Sequence, residues 1–243
     1  MNAPDPKEIR TSLGRNLTYG LLDSLGKMIV TGAFNDRPFP IEAELAKQHG
    51  VSRSVTREAV KMLTAKGLLS ARPRQGTIIT PQEAWNLFDT DVLRWLLERK
   101  FSLSLLRQFT ELRVNIEPGA ARLAAQAGSD EGHELIRRAF ARMEAAERGD
   151  DNALWSDIAF HVSILEASGN PFYAQFREVV ATALQTSIQF TNRYRGSNAS
   201  LPAHKAVLDA IVARDAELAA TTMHGLINDV LVLIQEATAL SAE

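Results

Sequence analysis

One carboxylate and three imidazoles in the later part of the chain could hold a metal ion. Asp157 and His161 are four residues apart, so in a helix their side chains project from one face and can converge on one point. His204 and His224 follow further along the chain. A carboxylate together with imidazoles suits a divalent transition metal. The spacing alone also fits an Asp–His pair that stabilises a helix while the other histidines lie on the surface, so both interpretations stay open at this point.

A second group of reactive side chains is basic and follows Gly50. Ser52 can cap a new helix, because its hydroxyl can accept a hydrogen bond from a backbone N–H of the first turn. At roughly 100° per residue, this helix carries Arg53, Arg57 and Lys61 on one face. The predicted packing face contains Val55, Ala59, Met62 and Leu63. Guanidinium groups in such a stripe can bind guanine edges or phosphates, although a basic face also occurs on helices that are only solvated.

The segments on either side of this helix favour DNA binding. Residues 41–47 have the pattern of a short helix, so the pair is typical of a helix–turn–helix whose second helix enters a major groove. Residues 71–80 contain two short β-prone runs around a basic tip, which is typical of a wing. The residues predicted to contact DNA are Ser52, Arg53, Ser54, Thr56, Arg57, Arg72, Arg74 and Gly76.

Helix and loop signals divide the chain into four segments. Residues 1–14 lack periodicity and contain two prolines, which predicts a flexible arm, and residues 15–80 form the winged helix–turn–helix. Residues 81–102 are predicted to be a linker and a connecting helix. Residues 103–240 have no alternating strand pattern and are predicted to form an all-α bundle. Its helices are expected at 103–127, 130–148, 151–168, 171–194, 200–213 and 215–240. The fold class is therefore mainly α, with a small β wing.

Charge is unevenly divided along this sequence. Residues 1–80 hold 12 Lys and Arg against 7 Asp and Glu, whereas residues 81–243 hold 15 against 22. The basic part suits contact with phosphate, and the acidic part is not expected to lie along DNA. The absence of cysteine excludes disulfides, thiolate zinc sites and a cysteine nucleophile. No signal pattern is evident and no apolar run approaches the ~18 residues of a membrane span, so we expect a cytoplasmic protein with no membrane partner.

A set of residues at fixed spacings runs through the N-terminal part: Gly32, Phe39-Pro40-x-Glu42-x-Glu44-Leu45, Val51-Ser52-Arg53, Arg57-Glu58-Ala59, Leu63, Gly67-Leu68 and Gly76. This set resembles the winged helix–turn–helix of the GntR superfamily of bacterial transcription regulators. Many members carry an arginine between the two acidic residues of the first motif helix, where this chain has Ala43. Any DNA contact that this arginine makes elsewhere is therefore not expected here.

The C-terminal part contains four motifs in order: Glu111-Leu112-Arg113-x3-Glu117-Pro118, Asp157-x2-Phe160-His161, Ser168-Gly169-Asn170-Pro171 and His204-Lys205-Ala206. These motifs are similar to those of the FCD ligand-binding domain of the FadR-like branch of these regulators. The resemblance implies a metal held by one Asp and three His, with a small organic acid completing its coordination. Asp157, His161 and His204 match three ligand positions. The fourth falls at Leu226, two residues from His224, so we expect either a weakened site, with zinc or a nickel-like ion at partial occupancy, or a site where the effector binds without metal.

The run Trp85-x2-Phe88-Asp89-Thr90-Asp91-Val92-Leu93-x-Trp95 also resembles the galactonate-responsive repressors of this branch. This likeness implies a sugar acid or other small carboxylate as effector. Arg113 is the cation expected to hold the carboxylate in bidentate fashion, although it could equally form a salt bridge with an acidic neighbour.

These features favour an effector-responsive homodimer that binds an inverted-repeat operator and represses a catabolic operon, and no enzymatic activity is expected. A small metal-dependent hydrolase is one alternative, in which Asp157, His161 and His204 would hold zinc with an activated water. The other alternative is a DNA-binding module whose helical part serves only for dimerisation.

Overall fold

A computed structural model describes residues 6–73, 76–99, 103–195 and 200–240. The chain divides into two compact units, Met1–Lys100 and Phe101–Glu243. The described residues form eleven α-helices and one two-stranded antiparallel sheet. The mainly α fold with a small β wing is therefore confirmed.

The first unit is a three-helix core followed by a hairpin and a fourth helix. Its elements are α1 (Pro6–Val30), α2 (Glu42–His49), α3 (Arg53–Ala65), β1 (Leu69–Arg72), β2 (Gly76–Ile79) and α4 (Thr90–Arg99). Helix α1 packs against α3, and the shared core includes Leu22, Leu25 and Leu63. Gly50 lies between α2 and α3 with a φ of 64°, a left-handed conformation that glycine adopts without a steric cost. The tight turn between these helices is the one that the glycine predicted.

Two segments of the first unit differ from the sequence-based prediction. The sequence predicts a flexible arm over residues 1–14, but α1 begins at Pro6, a residue whose fixed φ is compatible with the first turn of a helix. It also predicts a link between the two domains over residues 81–102, yet α4 belongs to the first unit and packs on α1. The Trp95 ring is fully buried against Gly26, where any Cβ would collide with the indole.

The described residues of the second unit form seven helices, α5 (Leu103–Ala127), α6 (Asp130–Glu147), α7 (Ala153–Ala167), α8 (Pro171–Gln175), α9 (Arg177–Arg195), α10 (Leu201–Val212) and α11 (Ala216–Leu240). Helix α11 packs along α5, and α7 packs against α5, α6 and α9. The single helix predicted over 171–194 is broken at Phe176. The reason is local, because the Phe176 N–H bonds to the Tyr173 carbonyl three residues before it and tightens the turn.

Helix α11 contradicts the expectation that no apolar run approaches the length of a membrane span. It has 25 residues, and its most apolar 18-residue window has a mean hydropathy of 1.3, enough by length and composition alone. Met223, Ile227, Leu233 and Ile234 are buried in the second unit, and 33% of that window as a whole is buried.

Candidate functional site

Helix α3 presents a basic face that is open to a ligand. The Ser52 hydroxyl accepts a hydrogen bond from the Val55 N–H at 3.2 Å, so the predicted cap is present. Arg53, Ser54 and Arg57 are exposed, as their assignment to a DNA-contacting face requires. Ser52 is also exposed and can donate its hydroxyl proton to a phosphate while it caps the helix.

Thr56 is a correction to the predicted DNA-binding set. Its side chain is completely buried and its hydroxyl donates to the Ser52 carbonyl at 3.2 Å, so it cannot contact a duplex. The buried face of α3 consists of Thr56, Ala59, Val60 and Leu63, and it is rotated from the face that the sequence pattern predicted. Helix α3 packs against both α1 and α2, and the packing of these helices decides which of its faces is buried.

The predicted wing is an antiparallel hairpin whose strands pair from Leu69 opposite Ile79 to Arg72 opposite Gly76. Arg72 and Gly76 are exposed at its tip, and Gly76 has a φ of 78°. Arg74 lies outside the described residues. An open groove of about 590 Å³ separates this hairpin from the loop that precedes α2, and both Gly76 and Glu42 line it. The wing and the N-terminus of α2 therefore face the same opening.

The second unit brings Asp157, His161 and His204 together. Helix α7 supplies the first two side chains and α10 supplies the third, and all three are buried. Asp157 Oδ1 lies 3.3 Å from His161 Nε2 and 3.2 Å from His204 Nε2. One ligand atom from each residue fits within 4.8 Å of the others, which is close enough for a shared ion.

The Nδ1 atom of each imidazole, on the side of the ring away from Asp157, already has a hydrogen-bond partner. His161 Nδ1 lies 2.5 Å from Glu117 Oε2, and His204 Nδ1 lies 2.8 Å from the Ser200 carbonyl oxygen. Because a carboxylate and a carbonyl only accept, each Nδ1 carries a proton and donates it. Each Nε2 is thereby directed toward Asp157. Such outer contacts are what orients histidine ligands in metal sites.

Arg113 and Glu117 form a buried ion pair on α5 beside this cluster. Arg113 Nε donates to Glu117 Oε1 at 2.5 Å, four residues along the same helix. The Arg113 guanidinium also approaches the imidazole, with Nη2 3.4 Å from His161 Nδ1. Arg113 therefore forms the salt bridge with an acidic neighbour that the sequence left open as the alternative to binding an effector carboxylate. Glu117 was missed as a site residue, although its spacing of four from Arg113 was a usable signal.

The buried charges shift one another's ionisation. Burial opposes the charged form of Glu117, but Arg113 and His161 outweigh burial and lower the pKa of this carboxyl to about 2. Burial likewise opposes the charge on Asp157, and hydrogen bonds from His161 and His204 hold its pKa below the usual value. The two carboxylates in turn overcome burial and raise the pKa of His161 to about 9.

His224 does not join this cluster. It is exposed on α11, two residues from the half-buried Leu226. Among the residues that the structure describes, the candidate metal ligands are therefore two imidazole nitrogens and one carboxylate oxygen. This donor set fits zinc or a similar transition metal and leaves coordination positions for an oxygen ligand.

Comparisons with known proteins agree with this architecture. A model of "Bacterial regulatory proteins, gntR family" matches residues 20–79, and a model of the FCD domain matches residues 108–229. Similar proteins include the HTH-type transcriptional regulator YieP of Escherichia coli, 35% identical over 84% of this chain and 90% of that protein. Another is the galactonate operon transcriptional repressor of Escherichia coli, 34% identical over 86% of this chain and 93% of that protein.

One solved structure adds a likeness of fold. It belongs to Lar, a protein described as controlling expression of the Listeria monocytogenes agr system. The two chains superpose with a TM-score of 0.59 over 90% of this chain and 96% of that chain, at 18% identity. This likeness concerns the fold alone, whereas the two family models locate the basic helix and the buried cluster in separate domains.

Proposed function

Because the chain belongs to the GntR family of bacterial regulatory proteins and carries an FCD domain, we propose that it represses a sugar-acid catabolic operon in the bacterial cytoplasm. Its class is that of a DNA-binding transcription regulator with an effector-binding domain. The similarity to a galactonate operon repressor along nearly all of that protein supports an aldonate as the effector. The operator, in this proposal, is an inverted repeat bound by a homodimer.

The DNA-reading surface in this proposal is the exposed face of α3 with the wing. Arg53 and Arg57 bind base edges, while Ser52, Ser54 and the wing residues Arg72 and Gly76 bind the backbone. Support comes from their exposure and from the excess of basic residues in the first 80 positions. Thr56 has no part in this surface.

The observation that carries the effector proposal is the buried cluster of Asp157, His161 and His204. A domain that only dimerises has no need to bury these groups, because desolvating charge is costly. Arg113, Glu117 and Asp157 carry a formal charge of −1 together when both imidazoles are neutral. A bound divalent ion would bring this to +1 and would offer open positions to a carboxylate and an adjacent hydroxyl.

The chain's own residues would hold such an ion and orient it. Asp157, His161 and His204 supply the ligand atoms, while Glu117 and the Ser200 carbonyl hold the two imidazoles with Nε2 directed inward. Arg113 stays paired with Glu117 and supplies positive potential at the edge of the site. An effector bound there changes operator affinity only as far as it binds one arrangement of the dimer better than another, typically a coupling of ~1–3 kcal/mol.

The test combines a thermal-shift screen with DNA binding. The purified protein is screened with galactonate, other aldonates and dicarboxylates, each with and without added zinc or nickel. An effector at about 100 times its dissociation constant should stabilise the protein by ~2.7 kcal/mol. The ligand that stabilises it should also change binding to a duplex selected from a random library. If stabilising sugar acids leave DNA binding unchanged, or if none stabilises it in the presence of either metal, the proposal is wrong.

A further inference from the structure

Arg57 is tied to a carboxylate that comes from the other helix of the motif. Glu42 lies in the first turn of α2, and its Oε2 is 3.4 Å from Arg57 Nε on α3. The two side chains are 39% and 60% exposed, respectively. An exposed pair of this kind contributes at most about 1 kcal/mol to stability, so folding alone gives it little purpose. Its position on the DNA-facing side points to a role in recognition.

The geometry of this pair determines which atoms Arg57 can offer to DNA. Glu42 engages Nε, and neither Nη group has a hydrogen-bond acceptor among the described residues. These two groups form the fork with which an arginine binds the O6 and N7 atoms of guanine. An arginine that is held at Nε therefore keeps its base-reading atoms available while its side-chain torsions are restricted.

The other cations of the reading face differ from Arg57. No carboxylate of the described segments forms an ion pair with Arg53. Lys61 pairs with Glu58 at 2.9 Å, but both residues belong to α3, so that pair does not link the two helices of the motif. Glu42 also lines the groove beside the wing, a place where the DNA backbone would approach. A carboxylate there repels phosphate, so it disfavours a merely electrostatic contact by Arg57.

We propose that Glu42 is a positioning residue for specificity, which directs Arg57 to a base edge and away from the phosphate backbone. The inference rests on the proposed role of Arg57 in reading the operator. Breaking the pair with Glu42→Gln should change the affinity for the specific site and the affinity for unrelated DNA in opposite directions. Specific affinity falls because Arg57 is no longer held. Affinity for unrelated DNA rises because one negative charge has left the interface.

The experiment uses the full-length protein and does not depend on a known operator sequence. Selection from a random double-stranded library gives the preferred site of the wild type and of Arg57→Ala, and it identifies the base pair whose preference depends on Arg57. Dissociation constants for this duplex and for a scrambled duplex are then measured at one fixed salt concentration. Their ratio reports specificity independently of total charge.

Three variants separate positioning from charge. Glu42→Gln should lower the specificity ratio roughly three- to tenfold, less than the roughly 5- to 150-fold that loss of a base-reading arginine costs. Glu42→Asp keeps the charge but shortens the side chain, so the ratio should fall without tighter binding to scrambled DNA. Glu58→Gln removes the same charge from α3 without breaking the pair between α2 and α3, so it should tighten both interactions equally and leave the ratio unchanged.

The results distinguish a failure of the positioning role of Glu42 from a failure of the proposed role of Arg57. If Arg57→Ala preserves every base preference, the role of Arg57 itself is wrong, and the inference fails with it. If Arg57→Ala abolishes a preference but Glu42→Gln behaves as Glu58→Gln does, only the positioning role is overturned. Circular dichroism of each variant establishes that the fold is retained, and Glu42→Asp provides the result should Glu42→Gln not fold.

Discussion

Asp157 is the side chain on which the candidate metal centre depends. Its Oδ1 atom lies 3.3 Å from His161 Nε2 and 3.2 Å from His204 Nε2, and its carboxylate is one of the three potential ligands. Glu117 is equally buried but faces the outer nitrogen of His161, so it orients a ligand rather than supplying one. Asp157 and Glu117 are both buried, but their roles differ because Asp157 faces Nε2 of the His161 ring and Glu117 faces Nδ1.

We expect Asp157→Ala and His161→Ala to abolish the effector response while operator binding stays within about threefold of the wild type, because the site lies in the acidic unit and not on the reading face. Metal uptake, measured by elemental analysis after dialysis against zinc or nickel, should fall in both variants. With three protein ligands we expect partial occupancy that a chelator removes. His224→Ala is the matched control and should retain both properties. A full equivalent of metal that survives chelation in the wild type, but not in His224→Ala, would place His224 among the ligands.

Arg53 and Arg57 carry the second prediction. Replacing each separately with alanine should weaken binding to the selected operator by ~1–3 kcal/mol, because each loses a base or phosphate contact. The thermal midpoint should change little, since both side chains are exposed. The measurement is fluorescence anisotropy at a fixed salt concentration, with Arg148→Ala in the acidic unit as the control. Wild-type affinity in both arginine variants would contradict the assignment of α3 as the reading helix.

Helix α4 is part of the DNA-binding unit because of its contacts with α1. The indole N–H of Trp95 donates to Asp23 Oδ1 at 2.8 Å, and Arg94 Nη2 donates to the same oxygen at 2.9 Å. The start of α4 is also held to the end of α3, where Lys66 Nζ donates to Asp89, just before α4, and to Asp91, in its first turn, at 2.8 Å. Helix α4 is therefore held against both α1 and the end of α3.

Asp23 makes the contact between α1 and α4 sensitive to acid. Burial opposes its charge, but hydrogen bonds from Trp95, Arg94 and Lys27 hold the pKa of this carboxyl below its ordinary value. A folded-state pKa lower than the unfolded one, about 3.9 for Asp, means that the contribution to stability is present above that pH and is lost as the pH falls through the lowered pKa. Stability of the wild-type contact should therefore decline only in strongly acidic solution.

The lowered pKa of Asp23 predicts how the effect of removing its charge depends on pH. Asp23→Asn should weaken the contact at neutral pH by about 1 kcal/mol, the scale of one hydrogen bond, and the difference from wild type should shrink below about pH 3.9. Hydrogen exchange of α1 and α4 peptides measures this locally, without assuming that both units unfold together. Asp36→Asn, which alters an exposed carboxylate in the loop after α1, should have no such effect. An unchanged difference between neutral pH and strong acid would show that ionisation of Asp23 is not the cause.

Basic and acidic residues are unevenly distributed along the chain as a whole. The first 80 residues carry five more basic than acidic groups, while the remainder carries seven more acidic than basic groups. These two excesses nearly cancel, so the whole chain has a net charge of only −2. Salt-dependent DNA binding should therefore reside in the first unit, while the second is repelled from the phosphate backbone.

A two-fold symmetric dimer is the fourth prediction. Two reading helices related by symmetry match two half-sites, which increases both the footprint and the specificity over one helix. Sedimentation should show a dimer at micromolar protein concentration, and the preferred sites selected from a random library should be inverted repeats. Monomers at that concentration both with and without DNA, or preferred sites lacking symmetry, would contradict the prediction.

Local chemistry explains why the helix ends were predictable from the chain alone. The glycine and capping residues at 128–130, 149–151 and 214–215 lie at or between helix ends found in the structure, and the predicted and observed bounds of 103–127 agree. Caps, turns and glycine conformations depend on a few neighbouring residues. The ligand pair Asp157 and His161 was predictable for the same reason, because a spacing of four residues places both on one helical face.

Only the tertiary structure decided which faces are buried and which distant residues meet. Thr56 has the polarity of a DNA contact but is fully buried, while α4 was predicted to connect the two domains but is held to α1 through Asp23. Glu117 reaches His161 across 44 residues of chain, and His204 reaches Asp157 across 47. Helical periodicity specifies the relative angle of side chains within one helix, but the packing of neighbouring helices decides which angle faces the core.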